Sequence, residues 1–239
     1  MTVLLPAARR LARALPPVAC AALSGSALWA AFPPLTWTAL AFVAWVPLIV
    51  AQFAGAPSSA RVRALDGVFV GVFTGLVSVS VDPPEVITGW AWAGLSVLIG
   101  LAFGVGAALL AFPTPPAAVV RRLPRWGWVW LPALTWTGVE YLRLVTTAGH
   151  PWGMVATSQI DTAPLRALLP VAGMWPVTLL VVATNYAISA LVLGVRGRSA
   201  KLVRGGRIGV VSVAAAWLAA LGAAALPSPP VVGTLRVVA

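Results

Sequence analysis

Seven stretches of mostly apolar residues run along the chain, separated by proline, glycine and arginine. They cover roughly 15–32, 35–53, 65–81, 86–112, 126–142, 168–195 and 208–226. A bilayer core about 30 Å thick takes about 20 apolar residues to cross as a helix. The pattern therefore predicts an all-α polytopic membrane protein with about seven transmembrane helices. Prolines punctuate the joints: Pro33–Pro34, Pro83–Pro84, Pro113 with Pro115 and Pro116, and Pro227 with Pro229 and Pro230. No internal repeat is visible.

Composition agrees with this picture. Of 239 residues, 60% are hydrophobic and 9% charged, against about 25% charged in a soluble globular domain. Such a chain has too few charges to coat a water-facing surface. One cysteine, Cys20, excludes an intrachain disulfide, and one histidine, His150, excludes a two-histidine metal centre. Cys20 falls inside the first span without an adjacent base, so it reads as a packing thiol. No metal or cofactor is expected.

The formal charge of +11 gains its meaning from position. With the N-terminus in the cytoplasm, 13 of the 16 basic residues lie on the cytoplasmic side, in clusters at 9–13, 61–63, 121–125 and 196–207. Arg143, Arg166 and Arg236 fall on the other face, with the acids Asp82, Glu85, Glu140 and Asp161. This positive-inside asymmetry fixes an orientation for an odd number of spans and puts the C-terminus outside. It also accounts for the positive charge without a nucleic-acid partner.

Candidate chemistry concentrates between the fifth and sixth spans. The segment contains Glu140 and Arg143, then Gly149-His150-Pro151-Trp152-Gly153, then Ser158-Gln159-Ile160-Asp161. It is too polar to cross lipid and too apolar for an ordinary loop, which predicts a re-entrant or interfacial segment on the outer face. Glu140 and Arg143 are three residues apart on a helix end and share a face. One reading makes them a structural ion pair; another has Arg143 holding a lipid phosphate, or Glu140 lining a substrate cleft. His150 has the chemistry of an acid or base but no partner spacing for catalysis, and Pro151 gives it a turn setting. Trp152 suits headgroup depth. Gln159 is able to hydrogen-bond a substrate amide or ester, or to cap local backbone. Trp37, Trp90, Trp126 and Trp128 fit an aromatic belt. Gly71-x-x-x-Gly75 and Gly100-x-x-x-Gly104 permit close helix packing.

The sequence also resembles the apolipoprotein N-acyltransferase family, which completes bacterial lipoprotein maturation. The resemblance starts at Ala31-Phe32-Pro33-Pro34 and the Trp-containing run from Leu40 to Leu48. It continues through Trp136, Glu140, Leu142-Arg143, Gly149-His150-Pro151-Trp152, Ser158-Gln159, Pro164-Leu165 and Gly173. His150 stands where the family usually has Phe.

That resemblance implies a membrane domain over 1–230 and, over 231–239, the first strand of an extracytoplasmic nitrilase-like domain otherwise missing from this sequence. In the family that domain supplies a Glu, Lys and Cys triad. Its Cys takes an acyl chain from a phospholipid as a thioester and passes it to the α-amine of a diacylglyceryl-cysteine on a lipoprotein. Cys20 does not match the nucleophile, so the chain alone is expected to be inactive. Its partners would be the phospholipid donor, the lipoprotein acceptor and the bacterial cytoplasmic membrane. Glu140, Arg143, His150, Pro151, Trp152 and Gln159 are the candidates for a lipid entrance. Two alternatives belong to other classes: a non-catalytic scaffold for a partner enzyme such as a polyprenol-phosphate mannosyltransferase, and a small transporter.

Overall fold

The computed structural model describes residues 17–53, 59–81, 87–110, 127–146, 153–166, 168–197 and 200–225. Within them the chain is all-helical, with no strand. The principal helices are α1 (Pro17–Ala30), α2 (Val46–Phe53), α3 (Ser59–Val79), α4 (Gly89–Leu110) and α5 (Gly127–Val145). Two single turns, α6 (Ala163–Arg166) and α7 (Leu169–Ala172), precede the long α8 (Trp175–Gly197) and α9 (Ala200–Ala224). Two 3-10 segments, Thr38–Phe42 and Val155–Gln159, complete the described elements. Among the described residues, four helices are long and apolar enough to cross a membrane: α3, α4, and the stretches Trp175–Val195 of α8 and Arg204–Gly222 of α9. The 231–239 segment expected to form a strand lies outside the described residues.

All seven apolar stretches contain helix, with informative shifts. Helices α3 and α9 begin several residues before the third and seventh apolar stretches, because arginine is a good helix former; Arg63 is exposed, and Arg61 donates to the Ala51 carbonyl at 2.8 Å. The helix of the sixth stretch, α8, begins late, at Trp175. Gly173 sits at φ +72° and breaks the chain after α7, and Pro176 is tolerated in the first turn of α8.

The second stretch departs most from expectation. It is a 3-10 segment followed by the eight-residue α2, not one continuous span. Pro47 cannot donate a hydrogen bond to the carbonyl of Val43, which weakens a continuous α-helix at this point, whereas Pro is well accepted in the first turn of a new helix; Pro132, by contrast, sits inside the unbroken α5. A helix start buried in a bundle leaves backbone N–H groups needing partners. Here each is supplied. The Trp45 N–H donates to Asn185 Oδ1 on α8 at 3.0 Å. Val46 N–H donates to Val43 O, and Pro47 has no N–H. Leu48 N–H donates to Ser24 Oγ on α1 at 2.9 Å. The Asn185 amide donates in turn to the carbonyls of Ala41 and Val181 at 2.7 and 2.9 Å. Asn185 thus brackets the broken span onto α8. Asn185→Leu is expected to cost about 1–3 kcal/mol by stranding the Trp45 N–H and the Ala41 carbonyl, measured as loss of thermal stability in detergent. An unchanged melting temperature would refute the bracket.

Helix α8 is the centre of the bundle. Its membrane-length stretch is 72% buried, against 22% for α4 and 17% for α9. It touches α2, α5, α9 and both 3-10 segments. In lipid there is little hydrophobic gain from helix–helix contact, so association depends on close packing and hydrogen bonds. Both are present. Trp130 Nε1 donates to Ser212 Oγ at 3.0 Å, linking α5 to α9, and Trp217 Nε1 donates to Thr184 Oγ1 at 3.1 Å, linking α9 to α8. Trp37 and Trp90 are exposed, as an aromatic belt requires. Trp128 instead packs inward against Phe53 and Tyr186, with centroids 5.7 and 6.4 Å away; Trp126 lies outside the described residues.

The two glycine motifs meet each other. Helices α3 and α4 run backbone to backbone: a Cβ added at Gly100 would lie 2.7 Å from the Gly71 carbonyl oxygen, and one at Gly104 would lie 2.7 Å from that of Gly67. Helix α4 leans on α3 along this seam. Its remaining faces carry exposed Trp90, Val97, Leu98, Leu101, Phe103, Leu109 and Leu110.

Candidate functional site

The site is built at the last turns of α5. Trp136 and Glu140 are one turn apart, and Trp136 Nε1 donates to Glu140 Oε1 at 2.9 Å. The same oxygen accepts the Val155 N–H at 2.9 Å, and Oε2 accepts the Thr178 hydroxyl at 2.9 Å. A carboxylate 3% exposed is thereby held by α5, by the 3-10 segment after Gly153 and by the start of α8. Three donors make burial of this polar group tolerable.

This arrangement alters the expected Glu140–Arg143 relation. Arg143 lies within reach of the carboxylate's field, but its Nε and Nη2 are buried without a hydrogen-bond partner. Glu140 spends its oxygens on the three donors instead of on a direct bond to the guanidinium.

From Gly153 to Gln159 the segment expected to be re-entrant or interfacial packs against the helices of the bundle. Gly153 takes φ +71° and sits against Phe73 and Val77 of α3. Met154, Val155, Ala156, Ser158 and Gln159 are buried. Gln159 Nε2 donates to Thr38 O and to Ser158 Oγ, both at 3.0 Å, and its Oε1 accepts the Thr162 hydroxyl at 3.2 Å. Its amide is therefore engaged with the first 3-10 segment and its own turn. His150, Pro151 and Trp152 lie outside the described residues.

Beside the carboxylate a cleft of about 620 Å³ opens between α3, α4 and α5. Val70 and Phe73 form part of its α3 side, Phe103, Gly106 and Leu110 its α4 wall, and Trp136, Val139, Glu140, Leu142 and Arg143 its α5 wall. Phe103, Leu110, Val139 and Leu142 are also solvent-exposed in the isolated chain, so the cleft faces whatever surrounds the bundle. Trp136 closes the inner side, stacked edge-on against Trp45 at 5.1 Å and packed on Phe69 at 6.0 Å. Sequence reasoning brought Glu140 and Arg143 to one site. It did not assign Trp136 a site role, and it missed Thr178 and the α4 wall. Trp136 was signalled by its four-residue spacing from Glu140; Thr178 and the apolar α4 wall carry no local signal.

Two comparisons bear on this geometry. The family described as the apolipoprotein N-acyltransferase N-terminal domain matches residues 24–187, which hold the glycine seam, the broken span, the carboxylate and the cleft. An apolipoprotein N-acyltransferase of Geobacter metallireducens is 26% identical over 183 residues, covering 74% of this chain and 34% of that protein. The chain thus spans about a third of the length of that relative. With more than half of its length matched by the family, the chain belongs to the apolipoprotein N-acyltransferase N-terminal domain family.

Proposed function

We propose that this chain is the membrane domain of an N-acyltransferase that moves an acyl chain from a phospholipid to the N-terminal diacylglyceryl-cysteine of a lipoprotein. The single observation that carries the reading is the family match over residues 24–187. The laterally open cleft at the end of α5 supports it. In this reading the chain sits in a bacterial cytoplasmic membrane with its N-terminus inside and residues 231–239 outside. It presents acyl chains near the outer face to a nitrilase-like unit that supplies Glu, Lys and Cys. Arg143 lines the lipid entrance. Glu140 ties the α5 wall to Val155 and to α8, and Gln159, His150, Pro151 and Trp152 are further candidates for contact with the lipid. In this reading the membrane domain by itself carries out no acyl transfer.

The test is expression in bacteria depleted of their own N-acyltransferase, with mass spectrometry of lipoprotein N-termini. Joined to a nitrilase-like unit, the chain is expected to restore N-acylation; alone it is expected to restore none. N-acylation by the chain alone, or none by the joined protein, would overturn the corresponding claim. A C-terminal reporter active only in the cytosol is expected to stay silent.

A further inference from the structure

We infer that α4 is a movable wall, which rolls on α3 along the glycine seam and so opens and closes the space between itself and α5. The inference rests on the membrane-domain reading above, but its test does not involve acyl transfer.

The two helices beside α4 are fixed. Helix α3 is pressed onto α1, where a Cβ added at Gly25 would lie 2.7 Å from the Phe69 carbonyl oxygen. Just past its C-terminal end, Ser80 Oγ accepts a hydrogen bond from Trp29 Nε1 of α1 at 2.7 Å. Helix α5 packs on α8 and α9 and is tied to them through Glu140 with Thr178 and Trp130 with Ser212. Helix α4 has α3 as its main support.

The seam is a line on which α4 can pivot. Crossing angles are ordinarily fixed by side-chain ridges seated in grooves. Here Gly67 meets Gly104 and Gly71 meets Gly100, backbone on backbone, so no ridge along this line holds one angle. Both flanks of the seam are open. By the helical period, Phe73 of α3 and Phe103 and Gly106 of α4 lie on the flank towards α5. Val72 of α3 and Leu101 and Val105 of α4 lie on the opposite flank, where they line a groove of about 690 Å³. A roll towards α5 narrows one space and widens the other. In lipid it meets no hydrophobic penalty, because acyl chains are as apolar as the faces that they cover or leave.

Two further observations fit a second position of α4. Ser96 is 2% exposed, lies beside Gly75 in the seam, and has its Oγ buried without a hydrogen-bond partner. A buried hydroxyl left unpaired in one arrangement is accounted for by another in which it is paired. Trp92 Nε1 donates to Val81 O at 3.0 Å and pins the N-terminal end of α4. The swing is therefore largest at the other end, near Leu110.

The experiment is double electron–electron resonance on the purified full chain in nanodiscs, with Cys20 replaced by alanine. One spin-label pair joins Leu109 on α4 to Leu218 on α9, and the control pair joins Val79 on α3 to Leu218; all three positions are exposed. The α4 pair is expected to show two distances about 5 Å apart, half the usual spacing of packed helices, and the control pair one. A Cβ at Gly106 meets nothing within 4 Å, so the indole of Gly106→Trp fits the present arrangement and blocks the roll; this variant is expected to lose one of the two distances. A single distance in the α4 pair, or two that survive Gly106→Trp, overturns the proposal. A broad distribution would mean that α4 leaves the seam, and two distances in the control pair would place the motion elsewhere; each overturns it equally. If N-acylation is restored in bacteria while α4 shows one distance, the movable wall is wrong and the function stands. Two distances without N-acylation leave the wall standing and remove the function.

Discussion

Replacing Glu140 by alanine is expected to destabilise the chain by about 2–5 kcal/mol. Three donors lose their acceptor at once: the Trp136 indole, the Val155 backbone and the Thr178 hydroxyl. Each stranded buried donor costs about 1–3 kcal/mol in water-soluble proteins, and nearer 0.6–2 kcal/mol within membrane bundles, where the unfolded chain also finds partners. The loss is spread over three elements, so it should loosen the seating of the Val155–Gln159 segment as well as lower the melting temperature. Glu140→Gln separates hydrogen bonding from charge. Its amide oxygen is able to keep the two bonds made by Oε1, and its amide nitrogen would face the Thr178 hydroxyl, which can rotate to accept. The glutamine variant should therefore retain most of the stability. Equal losses in the two variants would mean that the charge, and not the hydrogen-bond set, is what this position supplies.

The second large effect is at the glycine seam. Gly104→Leu is expected to cost about 3 kcal/mol and to part α4 from α3. Its Cβ would lie 2.7 Å from the Gly67 carbonyl and 3.2 Å from the Gly71 Cα. These are backbone atoms, so relief requires whole-helix movement, and overpacking of this kind costs about 1–3 kcal/mol or more. Close approach also permits Cα–H···O contacts that would be lost. Since α3 is the main surface on which α4 packs, there is little second contact to hold it. Gly94→Leu is the control: nothing lies within 4 Å of a Cβ there, and leucine is the better helix former. Paired melting curves in one detergent decide the matter. Comparable losses in both variants would refute the seam as the determinant.

How much of this was legible in the sequence follows from the range of each interaction. The helical class and the positions of the apolar stretches came from local composition, and every stretch does contain helix. The glycine motifs announced close packing, though not that the two motifs are each other's partners. The Trp136–Glu140 bond was available from a four-residue spacing. The other two partners of Glu140 are 15 and 38 residues away, a separation at which one sequence carries no geometric signal. That is why Arg143, the near neighbour, looked like the natural mate. Pro47 permitted the break in the second span without dictating it, since Pro132 leaves α5 continuous, and the break is held by Asn185, which is 140 residues from Trp45. The cleft was illegible for a different reason. Its α4 wall is made of ordinary lipid-facing residues, and only the gap between α4 and α5 turns them into a lining.

The inward course of Val155–Gln159 also governs where this protein can accept foreign sequence. By its position between two long helices this stretch looks like a surface connection, the usual place for an epitope or a fluorescent insert. Because its backbone and side chains are used by α5, the first 3-10 segment and α8, an insert there would separate the helices that it joins. A scan of short insertions should find this stretch as intolerant as the middle of α8.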